Sequence, residues 1–575
     1  MRNYREEYQR WLDSPALSEQ EWEELNSISG DEKEIENRFF APLEFGTAGL
    51  RGTMKVGLHH MNVHIIRHAT QAFANVIASH GEEAMRKGVA IDHDCRLNGR
   101  SFAKEAACVM AANGIHVRIF DDLRPTPELS FAVIHYGCTA GINVTASHNP
   151  KEYNGYKVYW SDGAQLPPRE ADEVARQMDQ IDIFTGFKTC SFDEAVADGR
   201  IELMGAETDE AFLAEVMSMA VDKKTVEEVA DEFKVVFTPF HGCGYKLVPE
   251  ALRRLGLKHI YPVEEQMVID GNFPTVESPN PENPEGFYLA VDLARKVGSD
   301  LIIGTDPDSD RIGTMVRSGD DYVPITGNQL GVLLLDYIIN ARRKAGTLPE
   351  NAGTVSSIVS TAMARAVAEA NGVHYEDTFT GFKFMAERIA AWDAAGSYRY
   401  IFAFEESYGY MVGDFVRDKD AVTASLLVAE MAAHYFKKGM TLLDGINALY
   451  EKYGWFMEKT INLVMPGLDG LQKMKKIMSD LRSDPPASIA GVDVLRLRDY
   501  LDGSIHVLGL GKVDRTQFAG SNVLYFELAD GSSFIIRPSG TEPKIKIYAL
   551  VRGSSREDCA ARVAKCVEYA EQLKK

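Results

Sequence analysis

Several features that would define a protein class are absent from this sequence. It has no apolar run near the roughly 18 residues that a membrane-spanning helix needs, and its amphipathic first residues lack the apolar centre of a signal peptide. Its seven cysteines form no C-x-x-C pair, so we expect neither a disulfide framework nor a zinc site. A net charge of -22 and no long Lys/Arg stripe argue against nucleic acid as a partner. We therefore predict a cytoplasmic protein without a membrane partner.

The pattern of strands and helices predicts an α/β protein. At 575 residues the chain is too long for one core, and apolar runs such as "GINVTAS" and "SDLIIGTD" alternate with helical stretches. From about residue 448 the pattern changes to an α+β unit that ends in a helix. We predict three α/β domains and a smaller C-terminal α+β domain, with the bounds 1–205, 206–325, 326–447 and 448–575.

The stretch "GINVTASHNP" places a serine, Ser147, at the end of an apolar strand. A plain turn needs only Gly, Asn or Pro, whereas α/β enzymes place reactive groups at the ends of their strands. Ser147 lacks the G-x-S-x-G setting of an α/β-hydrolase, and the chain has no G-x-x-x-x-G-K-[ST] nucleotide loop. Ser147 therefore remains a candidate reactive serine, but not one of the α/β-hydrolase type.

Three aspartates alternate in "GTDPDSDRIG", directly after another apolar strand. In an extended segment Asp306, Asp308 and Asp310 point to the same side, and three carboxylates suit a hard cation such as Mg2+. A calcium EF-hand is excluded because Arg311 and Arg317 occupy the positions that need glycine and glutamate. A solvated acidic turn is the alternative, and the spacing favours the metal.

The stretch "IIRPSGTEPKIKIY" has the composition of a phosphate site. Its arginine offers a bidentate fork, its hydroxyls offer donors, its glycine allows the backbone to form an anion-binding nest, and two lysines add charge. These residues are Arg537, Ser539, Gly540, Thr541, Lys544 and Lys546. A Pro/Gly turn between two strands is an equally good reading of this stretch taken alone.

Three weaker signals lie elsewhere. "FAFEESYGY" places Glu405, Glu406 and Ser407 at a strand end, where carboxylates can bind sugar hydroxyls. "LEFGTAGLRGTM" and "TFTGFKFM" place Arg51 and Lys383 in glycine-containing turns, which suits contacts with phosphate or hydroxyl groups. For each of these, a solvated or tight turn is the commoner explanation.

Taken together and in order, "TASHNP", "DPDSDR", "EES" and "RPSGTEPKIKIY" resemble the α-D-phosphohexomutase superfamily, the phosphoglucomutase/phosphomannomutase enzymes. The matching pieces run from Phe45 to Tyr548. The resemblance implies three related α/β domains and a smaller, mobile C-terminal domain around a central cleft. It also implies an intramolecular phosphotransferase, an isomerase that carries a phosphoserine.

The resemblance assigns a role to each motif. Ser147 would carry the transferable phosphate and, with Asp306, Asp308 and Asp310, would bind Mg2+. Around it would lie the active-centre neighbours His148, Arg51 and Arg311, and the proton-transfer residue Lys157. The sugar would contact Gly381, Lys383, Glu405 and Ser407, and the phosphate that is not transferred would contact Arg537, Ser539, Gly540 and Thr541.

The resemblance also implies a substrate class, the sugar phosphates. The main reading is the interconversion of glucose 1-phosphate and glucose 6-phosphate, with glucose 1,6-bisphosphate as intermediate and activator. Phosphomannomutase, phosphopentomutase and hexose-bisphosphate synthase activities stay open, because Pro307 and Phe404 stand where relatives commonly have glycine. More distant alternatives are a Mg2+-dependent phosphatase and a non-catalytic sugar-phosphate-binding homologue. The sequence does not indicate an oligomeric state.

Overall fold

The computed structural model describes residues 3–46, 49–465, 468–539 and 544–574. It divides into two compact units. The first comprises residues 1–326 and 408–441, and the second comprises residues 327–407 and 442–575. Among the described residues, no helix combines the length and the apolar character needed to cross a membrane.

The first sheet lies between residues 50 and 204 of the first unit. Its strands are ordered β1-β5-β4-β2-β3-β6, and β5 alone runs antiparallel to the other five. Val89 and Ile91 of β2 join one hydrophobic core and Ala90 joins another, because successive side chains of a strand point to opposite faces. The elements are α1 Tyr4–Leu12, α2 Glu19–Ser27, α3 Glu32–Phe39, β1 Leu50–Thr53, α4 Val63–Ser79, α5 Glu82–Lys87, β2 Val89–His93, α6 Gly99–Ala112, β3 Val117–Phe120, α7 Thr126–His135, β4 Ala140–Val144, β5 Tyr153–Trp160, α8 Pro168–Gln180, α9 Phe192–Ala197 and β6 Ile201–Met204.

The second sheet of the first unit is ordered β11-β10-β9-β7-β8. Strands β8, β7 and β9 are parallel, whereas β10 and β11 form an antiparallel hairpin. Strand β9 is buried along its whole length, as expected for a strand covered on both faces. The elements are α10 Ala206–Ser218, α11 Lys223–Val229, β7 Lys234–Thr238, α12 Gly244–Leu255, β8 His259–Pro262, α13 Glu264–Met267, a 3-10 turn Pro284–Phe287, α14 Tyr288–Val297, β9 Leu301–Thr305, β10 Ile312–Ser318 and β11 Asp321–Ile325.

The second unit begins with a parallel α/β layer in which the strand order is β13-β12-β14. Its elements are α15 Gly327–Ala345, β12 Ala352–Ser357, α16 Met363–Ala370, β13 His374–Thr378, α17 Phe382–Ala395 and β14 Arg399–Glu405. The next segment of the chain returns to the first unit and contains β15 Gly409–Met411 and α18 Ala421–Phe436. Helix α18 packs against α12 and α11 there.

The C-terminal part of the second unit is an antiparallel sheet flanked by helices. The strand order is β16-β23-β22-β21-β18-β19-β20, and β17 pairs with β18. The elements are α19 Leu442–Tyr453, β16 Trp455–Val464, α20 Leu468–Ser483, β17 Ser488–Ile489, β18 Val492–Asp499, β19 Ser504–Val507, β20 Lys512–Arg515, β21 Leu524–Leu528, β22 Ser533–Pro538, β23 Lys544–Gly553 and α21 Arg556–Gln572. The predicted fold class, α/β layers followed by a C-terminal part of different character, is confirmed.

Candidate active site

Ser147 lies in the loop that follows β4, at the carboxyl end of the first sheet. Its backbone is left-handed, with a φ of 53°, which few residues with a side chain adopt. Thr145 Oγ1 accepts a hydrogen bond from its N–H at 2.8 Å. The buried guanidinium of Arg96 donates to the carbonyl oxygens of Ser147 and Asn149, at 2.6 and 2.5 Å. These contacts hold the serine in a conformation that the free chain would rarely populate.

The Ser147 hydroxyl connects this loop to the aspartates. It donates to Asp306 Oδ2 at 3.0 Å, and His148 Nδ1 lies 3.1 Å from the serine Oγ. Burial lowers the pKa of His148 well below its usual range, and the positive charges of Arg311 and Arg51 lower it further. The imidazole is therefore neutral at physiological pH and can accept a proton.

The three aspartates meet in the loop between β9 and β10. All three are buried, and one carboxylate oxygen from each lies within 4.8 Å of the others. Burial raises the pKa of Asp306 well above its usual range, and the charges of Asp308 and Asp310 raise it further. Asp308 Oδ1 and Asp310 Oδ1 have no hydrogen-bond partner among the described residues. Buried oxygens of this kind fit a hard divalent cation, which would satisfy them and offset the repulsion.

Two lysines neutralise part of this negative charge. Lys157 Nζ lies 2.6 Å from Asp308 Oδ2 and 3.3 Å from Asp310 Oδ2, and Lys419 Nζ lies 3.1 Å from the same Asp310 oxygen. Although burial opposes it, Lys419 and Lys157 hold the pKa of Asp310 below its usual range. Burial would also lower the pKa of Lys157, but Asp308 and Asp310 raise it overall, so this lysine is charged.

Two arginines lie beside these groups. Arg51, on β1, donates to Asn149 Oδ1 at 3.2 Å and so contacts the serine loop. Arg311 follows the aspartates and donates from Nη1 to Glu282 Oε1 at 2.7 Å. The first unit thus brings together Ser147, His148, Arg51, Lys157, Arg311 and the three aspartates, all of which the sequence predicts.

The predicted sugar-binding residues occupy the second unit. Glu405 ends β14 and accepts a hydrogen bond from Gly381 N–H at 2.5 Å, while Ser407 Oγ lies 3.4 Å from its other oxygen. Gly381 has a φ of 115°, a conformation that favours glycine, and it precedes α17. Lys383 lies in the first turn of α17, where burial lowers its pKa. Glu406 instead accepts from Ser357 Oγ at 3.1 Å, which turns it toward its own sheet.

The predicted phosphate residues lie where β22 ends. Arg537 is directly opposite Lys546 on the antiparallel strand β23, and Ser539 N–H donates to Lys544 O at 2.8 Å. Like charges placed opposite each other destabilise a sheet, so the pairing of Arg537 with Lys546 favours a bound anion. Gly540 and Thr541 lie outside the described residues.

Sequence reasoning missed three residues of the site. Arg96 follows β2, Thr126 begins α7, and Lys419 precedes α18, so each comes from a segment without one of the recognised motifs. The charged run "RDKD" around Lys419 was a usable signal, because four charges directly before an apolar helix are unusual. Asp420, the last residue of this run, caps α18 by accepting hydrogen bonds from the N–H groups of Val422 and Thr423.

Comparisons with known proteins agree with this geometry. Residues 42–183, 210–319 and 326–453 match the domains described as phosphoglucomutase/phosphomannomutase, alpha/beta/alpha domain I, II and III. A phosphoglucomutase of Staphylococcus saprophyticus is 36% identical over 521 residues, covering 90% of this chain and 92% of that protein.

Solved structures share the fold. Parafusin, a phosphoglucomutase from Paramecium, superposes with a TM-score of 0.67 at 19% identity, covering 92% of this chain and 95% of that one. An N-acetylphosphoglucosamine mutase from Aspergillus fumigatus, solved with GlcNAc-6P and magnesium, gives a TM-score of 0.50 at 14% identity, covering 93% of this chain and 97% of that one.

Proposed function

Because this chain belongs to the phosphoglucomutase/phosphomannomutase family, we propose that it is a phosphoglucomutase in which Ser147 carries the phosphate. The enzyme interconverts α-D-glucose 1-phosphate and glucose 6-phosphate through glucose 1,6-bisphosphate. One observation carries the assignment of Ser147: its hydroxyl touches Asp306 at 3.0 Å, within a group of three buried aspartates. A serine in that position can hold a phosphoryl group against the ligands of a cation.

The residues that would hold Mg2+ are Asp306, Asp308 and Asp310, with a phosphoserine oxygen as a further ligand. When bound, the ion would withdraw charge from the phosphoryl group and so assist its transfer. Asp308 Oδ1 and Asp310 Oδ1, which accept no hydrogen bond within the described part of the chain, would be available to it.

In the proposed transfer, a sugar hydroxyl oxygen forms a bond to the phosphorus of phosphoserine while the bond from phosphorus to Ser147 Oγ breaks. The hydroxyl loses its proton and the serine oxygen gains one. Lys157 is charged, so it suits the donation of a proton to the serine oxygen. His148 contacts that oxygen at 3.1 Å as a neutral imidazole, so it suits the acceptance of the serine proton in the second transfer, when Ser147 takes a phosphate back from the bisphosphate. Arg51 and Arg311 would stabilise the developing phosphoryl charge.

The second unit would bind the rest of the substrate. Glu405 and Ser407 would contact sugar hydroxyls, together with Gly381 and Lys383, and Arg537, Ser539, Gly540 and Thr541 would bind the phosphate that is not transferred. After the first transfer the bisphosphate must turn around, so that its other phosphate can return to Ser147. Similar contacts to hydroxyls on both sides of the sugar would serve both orientations.

The sugar is the less specific part of the proposal. The 36% identity to a phosphoglucomutase favours glucose. Mannose phosphates, pentose phosphates and bisphosphate synthesis stay as alternatives, because Pro307 and Phe404 stand where relatives commonly have glycine. A phosphatase would release phosphate to water instead of returning it to Ser147, and product analysis would detect this. The cytoplasmic location remains a prediction.

The test is an isomerisation assay with the 1-phosphates of glucose, mannose, ribose and N-acetylglucosamine, in Mg2+ and trace bisphosphate. We expect preference for glucose 1-phosphate and no turnover by Ser147→Ala. A preference for ribose 1-phosphate would keep the mechanism and change the substrate. If the native protein turned over none of the four sugars, the mutase proposal would be wrong.

A further inference from the structure

The aspartate loop is held by backbone hydrogen bonds from three separate segments. Its successive carbonyl oxygens at Pro307, Asp308 and Ser309 accept from the N–H groups of Cys243, Thr126 and Ala421, at 2.8, 2.8 and 3.2 Å. Of these three donors, only Thr126 also binds a side chain of the loop, that of Asp308. Its hydroxyl donates to Asp308 Oδ2 at 2.8 Å.

Thr126 is the fully buried first residue of α7, so no solvent competes for its hydroxyl. Asn143 Nδ2, on β4, donates to the hydroxyl oxygen at 2.8 Å. Because one donor already occupies that oxygen, the hydroxyl proton is directed to the carboxylate. The result is a chain of hydrogen bonds from the strand that leads to Ser147, through Thr126, to Asp308.

The chain of bonds makes the two oxygens of Asp308 inequivalent. Oδ2 accepts from both Thr126 and Lys157 Nζ, whereas Oδ1 has no partner among the described residues. Two donors on one oxygen fix the rotation of the carboxylate and leave the other oxygen for a cation. Without the hydroxyl, Lys157 alone would hold the group, and it is shared with Asp310.

We propose that Thr126 is a positioning residue that orients Asp308 for binding a divalent cation. The inference rests on the metal site of the proposed function, but not on which sugar is converted. Partners that hydrogen-bond to metal ligands commonly change metal affinity by about 10- to 100-fold. We therefore expect loss of the hydroxyl to weaken cation binding by about 10-fold, with a smaller change in the rate at saturating metal.

The variants are Thr126→Val, which removes the hydroxyl and keeps the branched shape, and Thr126→Ser, which keeps the hydroxyl. Thr139→Val is the matched control. Thr139 is also buried, donates to Ala84 O at 2.7 Å and lies at the other end of β4 from Ser147. The measurement is a titration of the full-length protein with Mn2+ alone, in which free Mn2+ is followed by electron paramagnetic resonance.

We expect Thr126→Val to weaken Mn2+ binding by about 10-fold, while Thr126→Ser and Thr139→Val stay close to the native protein. Native-like binding by Thr126→Val would overturn the proposal. Should Thr126→Val fail to fold, Asn143→Ala tests the same chain of bonds, and unchanged Mn2+ binding in that variant would also overturn it. Since no sugar is present, a protein that binds Mn2+ but is not a mutase would disprove the proposed function and leave this inference standing.

Discussion

At the scale of single residues, Arg96 shows how one buried side chain fixes a reactive group. Its guanidinium binds four carbonyl oxygens of the Ser147 loop, those of Ser147, Asn149, Pro150 and Tyr153. Lysine has no planar fork and cannot reproduce this pattern. We expect Arg96→Lys to lower kcat about 100-fold, because a misplacement of about 1 Å at a reacting group has effects of that size.

The matched control is Arg317→Lys. Arg317 also donates from two nitrogens to a backbone carbonyl, that of Ser299 at 3.0 and 2.8 Å, but away from the serine loop. Steady-state kinetics, together with mass spectrometry of Ser147 phosphorylation, should show a loss in Arg96→Lys and near-native values in the control. Equal losses in both variants would mean that Arg96 acts only through general stability.

Lys419 is a second residue that no sequence motif identifies and that the fold brings to the aspartates. It is held by Asp418, which in turn accepts from Tyr159 OH at 3.1 Å, and it contacts the same Asp310 oxygen as Lys157. Lys419→Met would leave Asp310 with less positive charge nearby. We expect kcat to fall about 10-fold or more, a loss of about 1.4 kcal/mol in transition-state stabilisation. Lys437→Met, at the far end of α18 and paired with Glu228, should change kcat less than twofold.

At the scale of elements, strand β16 carries a half-buried carboxyl group, that of Glu458. Burial raises the pKa of Glu458 from 4.5 to about 7. The folded protein therefore binds this proton more tightly than the unfolded chain, so the stability of the native state falls as the pH rises from about 4.5 to 7. Glu458→Gln removes the effect. We expect it to be more stable than the native protein at pH 8.5 by about 1–2 kcal/mol, and equal to it near pH 4.5.

The measurement is urea unfolding of both proteins at the two pH values. The difference in the free energy of unfolding between the two proteins reports Glu458 alone, because the other titrating groups contribute equally to both. A difference that does not depend on pH would contradict the prediction. Asp530→Asn is a suitable control, because this carboxylate pairs with Arg562 elsewhere in the C-terminal part.

The elements that the sequence predicts well are those buried on both faces. Strands β4, β9 and β14 are short apolar runs followed by polar residues, and they carry Ser147, the aspartates and Glu405 at their ends. Strands β18 to β20 could not be predicted in the same way. The run "VDVLRLRD" in β18 breaks its alternation of apolar and charged residues at Leu495, which is exposed and lies where the register with β21 shifts, so the period-2 signal of a half-buried strand is interrupted.

The contacts of the site are harder to predict than its residues. Motifs identify Ser147 and Asp308 because their residue types carry the chemistry. Thr126 and Lys419 are ordinary residue types, and only the path of the chain brings them to the aspartate loop. The charged run around Lys419 indicates a polar site, but no local pattern in the sequence shows which distant loop a residue such as Lys419 or Thr126 contacts.

At the scale of the whole molecule, each compact unit is built from two separate stretches of the chain. Residues 408–441 belong to the first unit, although they lie within the third predicted α/β segment. Helix α18 packs against α11 and α12 of that unit, a contact between distant segments that no local sequence pattern indicates. The continuous bounds 326–447 and 448–575 therefore remain a proposal for how the chain is divided.

The second unit contains a core shared by its two parts. Phe379, in the turn before Gly381, contacts Tyr500 and Phe518 of the C-terminal part, with ring centroids 5.4 and 4.6 Å apart. Tyr500 and Phe518 also stack on each other at 5.3 Å. A C-terminal domain that moves alone would have to separate these rings, so we expect the two parts to move together.

We expect Phe518→Ala to release this connection at a cost of about 2–3 kcal/mol, somewhat less than for a fully buried phenylalanine. Hydrogen exchange should then accelerate both around Tyr500 and in the turn at Phe379, because the rings support each other across the two parts. Leu510→Ala, at an exposed position of the same C-terminal part, should change neither segment. Acceleration confined to the residues next to Phe518 would show that the parts are not coupled. A C-terminal domain that moves alone would then be the better description of this enzyme.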